Sequence, residues 1–478
     1  MLQLIIPSTF RLRLTDEKGT SPYGFHMSFV PTESDFDPSV RLNRRVLIIT
    51  DDVDGSTALV EHLLKLSLDV QLTGFTGDVE GMELPEKAPS AALCFLSDFI
   101  EHSSSIVSHL RTLYAPRDFP ILGRLTREIE GDHPFDSILY SPVHPVQVAY
   151  RTSSIIRLGQ IEAEIIRRRD TLIEHFGQDL KLPDTPMRQP FRVLFIGKAD
   201  PAYMSVVNAL QDKNVDVVAA FTSFSAFDYL HSGSFDAVVI NALDSTEPAM
   251  TIAETMRRNP RLFHVPTLLL INKSTFRDAD VAYAHGVKDL IDADAPLAEL
   301  SGRILELAND YRLHQRLKSE FVNLGGSDCS DPETGVLNAR FFKPHLQRVG
   351  RDCRLRKVPL SILTIKLIPK FKAALGGNIL SSAYGQSIRD IAGMVRLQDI
   401  VARMDKNTVV IAFPEEKRRD IARIAARIKE MVETSTFADT GGDPNTLRMT
   451  IETVIMEQDE VRAEDENETR PESAPMTA

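Results

Sequence analysis

Cysteine is scarce in this chain of 478 residues: there are three, Cys94, Cys329 and Cys353. No two form a C-x-x-C pair, which excludes a disulfide framework and gives no zinc site. Two of them sit in apolar or helical surroundings and read as buried free thiols, which fits a reducing cytoplasm. Long apolar runs are missing too. Runs such as residues 91–96 and 268–271 fall far short of a membrane span. The N-terminus has no basic segment followed by a long apolar core, so no signal peptide is expected. Nor is there a surplus of positive charge: 55 Lys and Arg stand against 67 Asp and Glu, a net charge of −12. That excludes a sequence-independent binder of nucleic-acid polymers, whose surface must be basic. It leaves room for a small basic pocket that takes an anionic nucleotide.

What is present is ordinary for a folded protein, with 43% hydrophobic and 26% charged residues. The length predicts about three domains. Residues 1–43 carry Pro7, Pro22, Pro31 and Pro38 and read as a poorly ordered segment, with Met27 as an alternative start. Residues 458–478 are rich in Glu, Asp and Pro and read as a disordered acidic tail. Between these ends one programme runs twice. RVLIIT at 45–50 opens a series of short β-branched runs separated by amphipathic stretches, at 70–72, 91–96, 119–122 and 137–140. A long helical segment, 146–176, closes it. RVLFI at 192–196 restarts the series, which ends in a second long helix at 297–321. Short buried strands alternating with helices predict parallel sheets covered by helices, two successive (βα)5 units at 44–177 and 190–321. A third unit spans 328–457. Asp331 followed by Pro332 predicts a helix start there. A strand at 360–367, a helix at 379–395, a hairpin around Asp405-Lys406-Asn407, a helix at 417–432 and a strand at 447–456 follow.

The two front units resemble response-regulator receiver domains, which have a flavodoxin-like, doubly wound α/β fold. Such domains use clustered carboxylates for Mg²⁺, an Asp that accepts phosphate, a hydroxyl residue and a Lys. In the second unit Gly197 and Lys198 replace the acidic pair, Asn241 the acceptor, Ile271 the hydroxyl residue and Ala293 the Lys. The resemblance therefore implies a structural or dimerisation module. In the first unit Asp51 and Asp52 follow the first strand and Asp98 lies just past the third, while Ser141-Pro142 stands where Lys-Pro is expected. Asp98, Asp51 and Asp52 are candidates for a phosphoacceptor and acidic pocket. The alternative is a set of ordinary loop carboxylates, because the lysine that would stabilise the transferring charge is absent.

The third unit resembles GGDEF domains, the α+β nucleotidyl-cyclase-like domains of diguanylate cyclases. Asp331-Pro-Glu-Thr334-Gly335-Val-Leu-Asn338 matches the family's opening D-x-x-T-G-x-x-N signature. The catalytic features do not match. The hairpin reads Asp405-Lys406-Asn407-Thr408-Val409 in place of GGDEF, Thr364 stands at the other metal-binding position, and Lys372 and Ser381 stand at the guanine-reading positions. The family's last helix and strand have no counterpart after Met456. Gly441-Gly442-Asp443 is followed by Pro444 and reads as a turn. The resemblance implies a degenerate domain without cyclase activity or bound metal. It also implies a surviving product site. The family's R-x-x-D motif, five residues ahead of the turn, falls on Arg396 and Asp399, and a second family arginine falls on Arg427. An arginine fork can donate to guanine O6 and N7, a carboxylate can accept from the N1–H and N2–H₂ edge, and Arg427 can meet a phosphate or a base. R-x-x-D recurs at Arg13/Asp16, Arg167/Asp170, Arg277/Asp280 and Arg462/Asp465, where a solvated ion pair is the simpler reading.

Two receivers followed by a degenerate GGDEF domain resemble the layout of the PopA-type effectors, PleD-like proteins that act as receptors. The resemblance implies cyclic-di-GMP as ligand, a homodimer formed through the long helices of the receiver units, and no membrane insertion. It also implies polar-localisation and protease-adaptor partners at a cell pole, in regulated proteolysis during the cell cycle. Three rivals stand beside this reading. One is an active cyclase, which needs carboxylates where Thr364 and Asn407 stand. The others are a phosphorylation-driven regulator using Asp98 and a scaffold that binds no nucleotide.

Overall fold

The computed structural model describes residues 45–66, 68–97, 100–115, 118–125, 133–178, 190–259, 261–324, 329–370, 377–438 and 446–457. Asp98, Lys372, residues 441–443, the N-terminal segment and the acidic tail lie outside the described residues. The chain divides into two compact units. One holds residues 28–162 and 183–319, the other 1–27, 163–182 and 320–478.

The first of these contains two five-stranded parallel sheets. One is built from β1 (Arg45–Thr50), β2 (Asp69–Gly74), β3 (Ala91–Phe95), β4 (Ile121–Leu125) and β5 (Ser137–Tyr140), in the order β2-β1-β3-β4-β5. Its helices are α1 (Val53–Lys65), α2 (Ser103–Leu113) and the long α3 (Pro145–Phe176). Alternation explains why the central strand β1 is apolar on both faces. Leu47 and Ile49 enter the core on one side of the sheet, Val46 and Ile48 the core on the other. The second sheet has β6 (Phe191–Ile196), β7 (Val215–Ala220), β8 (Ala237–Asn241), β9 (Thr267–Ile271) and β10 (Asp289–Asp292), ordered β10-β9-β8-β6-β7. It is covered by α4 (Pro201–Leu210), α5 (Ser223–Ser232), α6 (Thr246–Arg258), α7 (Ala279–Ala284) and α8 (Leu297–Asn323).

The first sheet departs from the expected (βα)5 plan: no helix joins β2 to β3. Gly77, Gly81, Pro85 and Pro89 break any helical run there. The connection is pinned instead, by Thr73 Oγ1 donating to the Glu83 carbonyl (2.9 Å) and Tyr114 Oη donating to the Pro85 carbonyl (2.7 Å). Phe75, Val79, Met82 and Leu84 cover the sheet where a helix stripe would lie. Strand β4 starts at Ile121, not at 119.

The two sheets are joined through the starts of α3 and α8. Arg303 donates to Asp289 Oδ1 (2.8 Å) and to the Tyr140 carbonyl (3.2 Å), and Gln147 Nε2 donates to the same Asp289 oxygen (2.6 Å). Glu306 accepts from Ser137 Oγ (2.7 Å), the Ile138 N–H (2.9 Å) and Arg151 Nη2 (3.0 Å), and Arg151 Nη1 pairs with Asp310 at 2.7 Å. These polar faces of α3 and α8 thus meet within one chain.

The other unit carries a six-stranded mixed sheet ordered β11-β13-β14-β12-β16-β15. Its strands are β11 (Leu337–Asn338), β12 (Leu360–Pro369), β13 (Ile400–Arg403), β14 (Thr408–Pro414), β15 (Thr436–Ala438) and β16 (Thr446–Glu457). Its helices are α9 (Ala339–Leu355), α10 (Gly377–Gly393) and α11 (Arg418–Thr434), with residues 163–176 of α3. Leu363, Ile365 and Leu367 of β12 enter the core with Ile388, Phe413, Ile421 and Ile428.

Removing Arg151 leaves the carboxylates of Glu306 and Asp310 without their shared cation inside the packed first unit. Breaking a buried pair from one side costs about 3–5 kcal/mol. Arg151→Ala is therefore expected to lower unfolding stability by about that amount. Urea denaturation checks it, and an unchanged midpoint would show the network to be dispensable.

Candidate functional site

The opening D-x-x-T-G segment is a turn, not the helix start that Asp331-Pro332 predicts. Asp331 Oδ1 accepts from the Thr334 N–H (2.9 Å) and the Thr334 hydroxyl (2.6 Å), which resembles a helix cap. Gly335 then takes φ +75°, a left-handed conformation that ends the coil after one turn. The helix begins later, at α9, capped by Asn338 Oδ1 accepting from the Phe341 N–H at 2.9 Å.

This turn is bolted to the hairpin by Arg403, which sequence reasoning did not single out. Its guanidinium meets Asp331 Oδ1 (3.1 Å) and Glu333 Oε2 (2.6 Å) on one side. On the other it donates to the carbonyls of Asp405 (3.0 Å) and Lys406 (3.2 Å). Its place two residues before the turn, opposite an acidic opening motif, was the available signal. These contacts hold the Asp331 carboxyl below its ordinary range, against the effect of burial.

At the hairpin tip, Asn407 Nδ2 donates to the Leu367 carbonyl (2.9 Å) and the Asn407 N–H donates to Asp405 Oδ1 (2.9 Å). The Asn407 side chain is therefore an amide engaged with β12. Thr364 lies on β12 between Val410 and Val454. Ser381 is exposed at the start of α10. Among the described residues no three His, Cys, Asp or Glu side chains converge as a metal site.

Arg396, Asp399 and Arg427 do come to one place, the connection between α10 and β13. Asp399 is buried; its Oδ2 accepts from the Arg396 N–H (2.8 Å), and its own N–H donates to the Arg396 carbonyl (3.0 Å). Motif spacing is thus the spacing of a closed turn. Arg427, on α11, donates from Nη2 to the Met394 carbonyl (3.0 Å), two residues ahead of Arg396. The Arg396 guanidinium faces outward enough to keep 27% side-chain exposure, with Nη1 2.7 Å from Glu416 Oε1. Glu416 is the member that sequence reasoning missed. It stands 20 residues away, across the hairpin, in an acidic pair that looks like an ordinary loop.

The other R-x-x-D pairs within the described residues are structural. Arg277 donates to the carbonyls of Lys273, Ser274 and Phe276 around it. Arg167 pairs with Glu164 (3.2 Å) and Asp352 (2.8 Å), while Asp170 meets Arg348.

In the two parallel sheets the residues singled out at the strand ends have structural partners. Asp51 Oδ2 accepts from the Ser97 N–H (2.6 Å), and Asp52 caps α1 by accepting from the Gly55 N–H (2.9 Å). Arg124 donates to Ser97 Oγ (3.0 Å) and lies over Phe95; burial pushes its pKa down, while Asp51 and Asp52 pull it back up. In the second sheet Asn241 Nδ2 donates to Asp200 Oδ2 (2.8 Å), and Lys198 pairs with Asp244 (2.7 Å). Cys94, Cys329 and Cys353 are buried free thiols. Burial pushes Cys94 up to about 12 and Cys353 up to about 11. No helix among the described residues is long and apolar enough to cross a membrane.

Residues 329–467 match the family model for the diguanylate cyclase, GGDEF domain. The chain carries a GGDEF domain. Response regulator PleD of Caulobacter vibrioides is 24% identical over 212 residues, which is 44% of this chain and 47% of PleD. The match thus spans about half the length of that relative. Among solved structures, the GGDEF domain of DgcB from Caulobacter crescentus in complex with c-di-GMP is 15% identical, covering 28% of this chain and 77% of that one, with a TM-score of 0.23. Diguanylate cyclase SiaD in complex with its activator SiaC from Pseudomonas aeruginosa is 15% identical, covering 33% of this chain and 60% of that one, with a TM-score of 0.26.

The buried Asp399 gives the GGDEF domain a titration signature. Burial pushes its carboxyl up to about 7; Arg396 opposes the shift, while Glu416 and Glu164 add to it. An unfolded Asp ionises near 4. Between about pH 4 and 7 the folded protein therefore holds a proton that the unfolded chain has lost, and this residue's contribution to stability falls as pH rises. Asp399→Asn keeps an acceptor for the Arg396 N–H and removes the titration. The variant should gain stability on wild type as pH rises from 4 to 8, read as urea midpoints. Parallel pH profiles would show that Asp399 ionises normally.

Proposed function

We propose that this protein is a receptor for cyclic-di-GMP that does not synthesise it. The observation that carries the reading is the cluster at one turn of the GGDEF domain: an arginine fork and a carboxylate in the α10–β13 connection, with a second arginine reaching that connection from α11. A guanidinium matches guanine O6 and N7 and a carboxylate matches the N–H edge. A further guanidinium suits the anionic backbone of a dinucleotide. The catalytic end of the domain supports the negative half of the reading. Divalent metals held against GTP phosphates need carboxylate oxygens. Thr364 offers a hydroxyl, and the Asn407 amide donates to Leu367. Recruitment of protein partners by the liganded form, such as a protease adaptor at a cell pole, completes the proposal; it is supported only by the likeness in domain order.

Arg396→Ala deletes a charged fork worth about 1–3 kcal/mol against guanine. Calorimetric titration with cyclic-di-GMP should show affinity weakened at least about tenfold, with Arg427→Ala acting in the same direction. Arg277→Ala, in an R-x-x-D that serves its own loop, should bind like wild type. With GTP and Mg²⁺ the wild-type protein should form no cyclic-di-GMP. Equal affinity in Arg396→Ala with a native melting curve, or product from clean protein, would overturn the reading.

A further inference from the structure

The Arg396 guanidinium already has a partner. Glu416 Oε1 accepts from its Nη1 at 2.7 Å, and the Glu416 side chain is 9% exposed. The Glu416 backbone is fixed, since its carbonyl accepts from Ser361 Oγ (2.8 Å) and the preceding Glu415 N–H donates to the Pro359 carbonyl (2.8 Å). Glu415 holds φ +68°, a left-handed conformation that a residue with a β-carbon rarely adopts. That backbone sends the two neighbouring carboxylates to different partners. Glu416 meets Arg396, and Glu415 pairs with Arg356 at the end of α9. Arg356 pairs with Asp352 (2.8 Å), Asp352 with Arg167 (2.8 Å), and Arg167 with Glu164 (3.2 Å), the last two on α3. Charged contacts therefore run from the R-x-x-D turn to the α3 segment at 163–176, bridged at one point by the Glu415–Glu416 peptide.

We propose that Glu416 is an internal competitor at the cyclic-di-GMP site, and that its displacement loosens the grip on α3. A carboxylate offers a guanidinium the same acceptor geometry that guanine offers through O6 and N7. In the unliganded protein it both holds the fork and cancels the positive charge that an anionic ligand needs. Ligand entry frees Glu416 at a strained junction whose other carboxylate holds α9. The relief passes through Arg356 and Asp352 to Arg167. This inference rests on the reading of Arg396 as the ligand contact.

The test uses the full chain. Cyclic-di-GMP is titrated calorimetrically into wild type, Glu416→Gln and Glu416→Asp, and amide hydrogen exchange is followed over 163–176. Glu416→Gln keeps the shape and removes the charge, and should bind at least about fivefold tighter than wild type. Glu416→Asp keeps the charge and shortens the reach, and should also tighten binding, by less; it serves where the glutamine variant melts early. Ligand should raise exchange over 163–176 in wild type, and Glu416→Gln should show raised exchange before ligand is added. Equal or weaker binding in both variants would show Glu416 to be a support for Arg396 and would overturn the competition while leaving the receptor reading intact. Tighter binding with unchanged exchange would overturn the coupling to α3. No binding by any of the three proteins would overturn the receptor reading, and this inference with it.

Discussion

A carboxylate with no exposure must be charged and fully paired, or neutral, and Glu164 has been given enough partners to stay charged. It accepts from Arg168 Nε (2.7 Å), Arg167 Nε (3.2 Å) and His345 Nε2 (2.9 Å). Burial alone would raise its pKa; His345 and the two arginines override that and hold it far below the usual carboxylate range. Burial pushes the His345 imidazole below its ordinary value; Glu164 opposes the shift and the two arginines add to it. Thr171 donates its hydroxyl to the Arg167 carbonyl (2.8 Å) and lies 3.1 Å from His345 Nδ1. Removing any one of these groups strands another in a dry interior, and such buried pairs are costly to break from one side. The GGDEF domain is therefore tied to a fixed face of α3.

That constraint was not legible in the sequence, for a plain reason. Glu164 and His345 are 181 positions apart, and each alone reads as an ordinary helical residue. What was legible depends on local rules. Fully apolar runs announced the parallel strands, because both faces of those sheets are covered. The hairpin around Asp405-Lys406-Asn407 followed from two β-branched runs flanking turn residues. Asp331-Pro332 misled, because an Asp that accepts from the third residue on serves a single turn as well as a helix. Only the left-handed Gly335 tells them apart. The missing helix between β2 and β3 was written in Gly77, Gly81, Pro85 and Pro89, but Val79, Met82 and Leu84 gave that stretch enough apolar spacing to pass. At the site, the register of Arg396 and Asp399 was readable because both ends of the closed turn lie within four residues. Glu416 was not, because the pairing that brings it to Arg396 is made by sheet geometry.

The two parallel sheets have put their polar side chains to architectural use. Where a phosphoreceiver would keep acidic groups open to a metal, Asp52 caps a helix, Asp51 accepts a main-chain N–H and Asp200 accepts from an amide. The strongest electrostatic organisation in that unit lies elsewhere, in the Arg151, Glu306, Asp310, Arg303 and Asp289 network between the sheets. Its buried acids pay a visible penalty: burial pushes the carboxyls of Asp289 and Asp310 up even with arginines beside them. Such networks fix the geometry of a joint more reliably than they add stability.

Within the GGDEF domain, one short strand separates two kinds of chemistry. β13 runs from Ile400 to Arg403, four residues, a length of about 13 Å at the usual rise per strand residue. The R-x-x-D turn enters it and the turn at Asp405–Asn407 leaves it. Arg403 secures the leaving end by gripping two hairpin carbonyls and two opening-turn carboxylates, while Asp399 secures the entering end through its own main chain. The Asn407 amide at the hairpin tip adds a bond to β12. Because each end is closed by its own hydrogen bonds, side chains at that tip can change without disturbing the turn that presents Arg396.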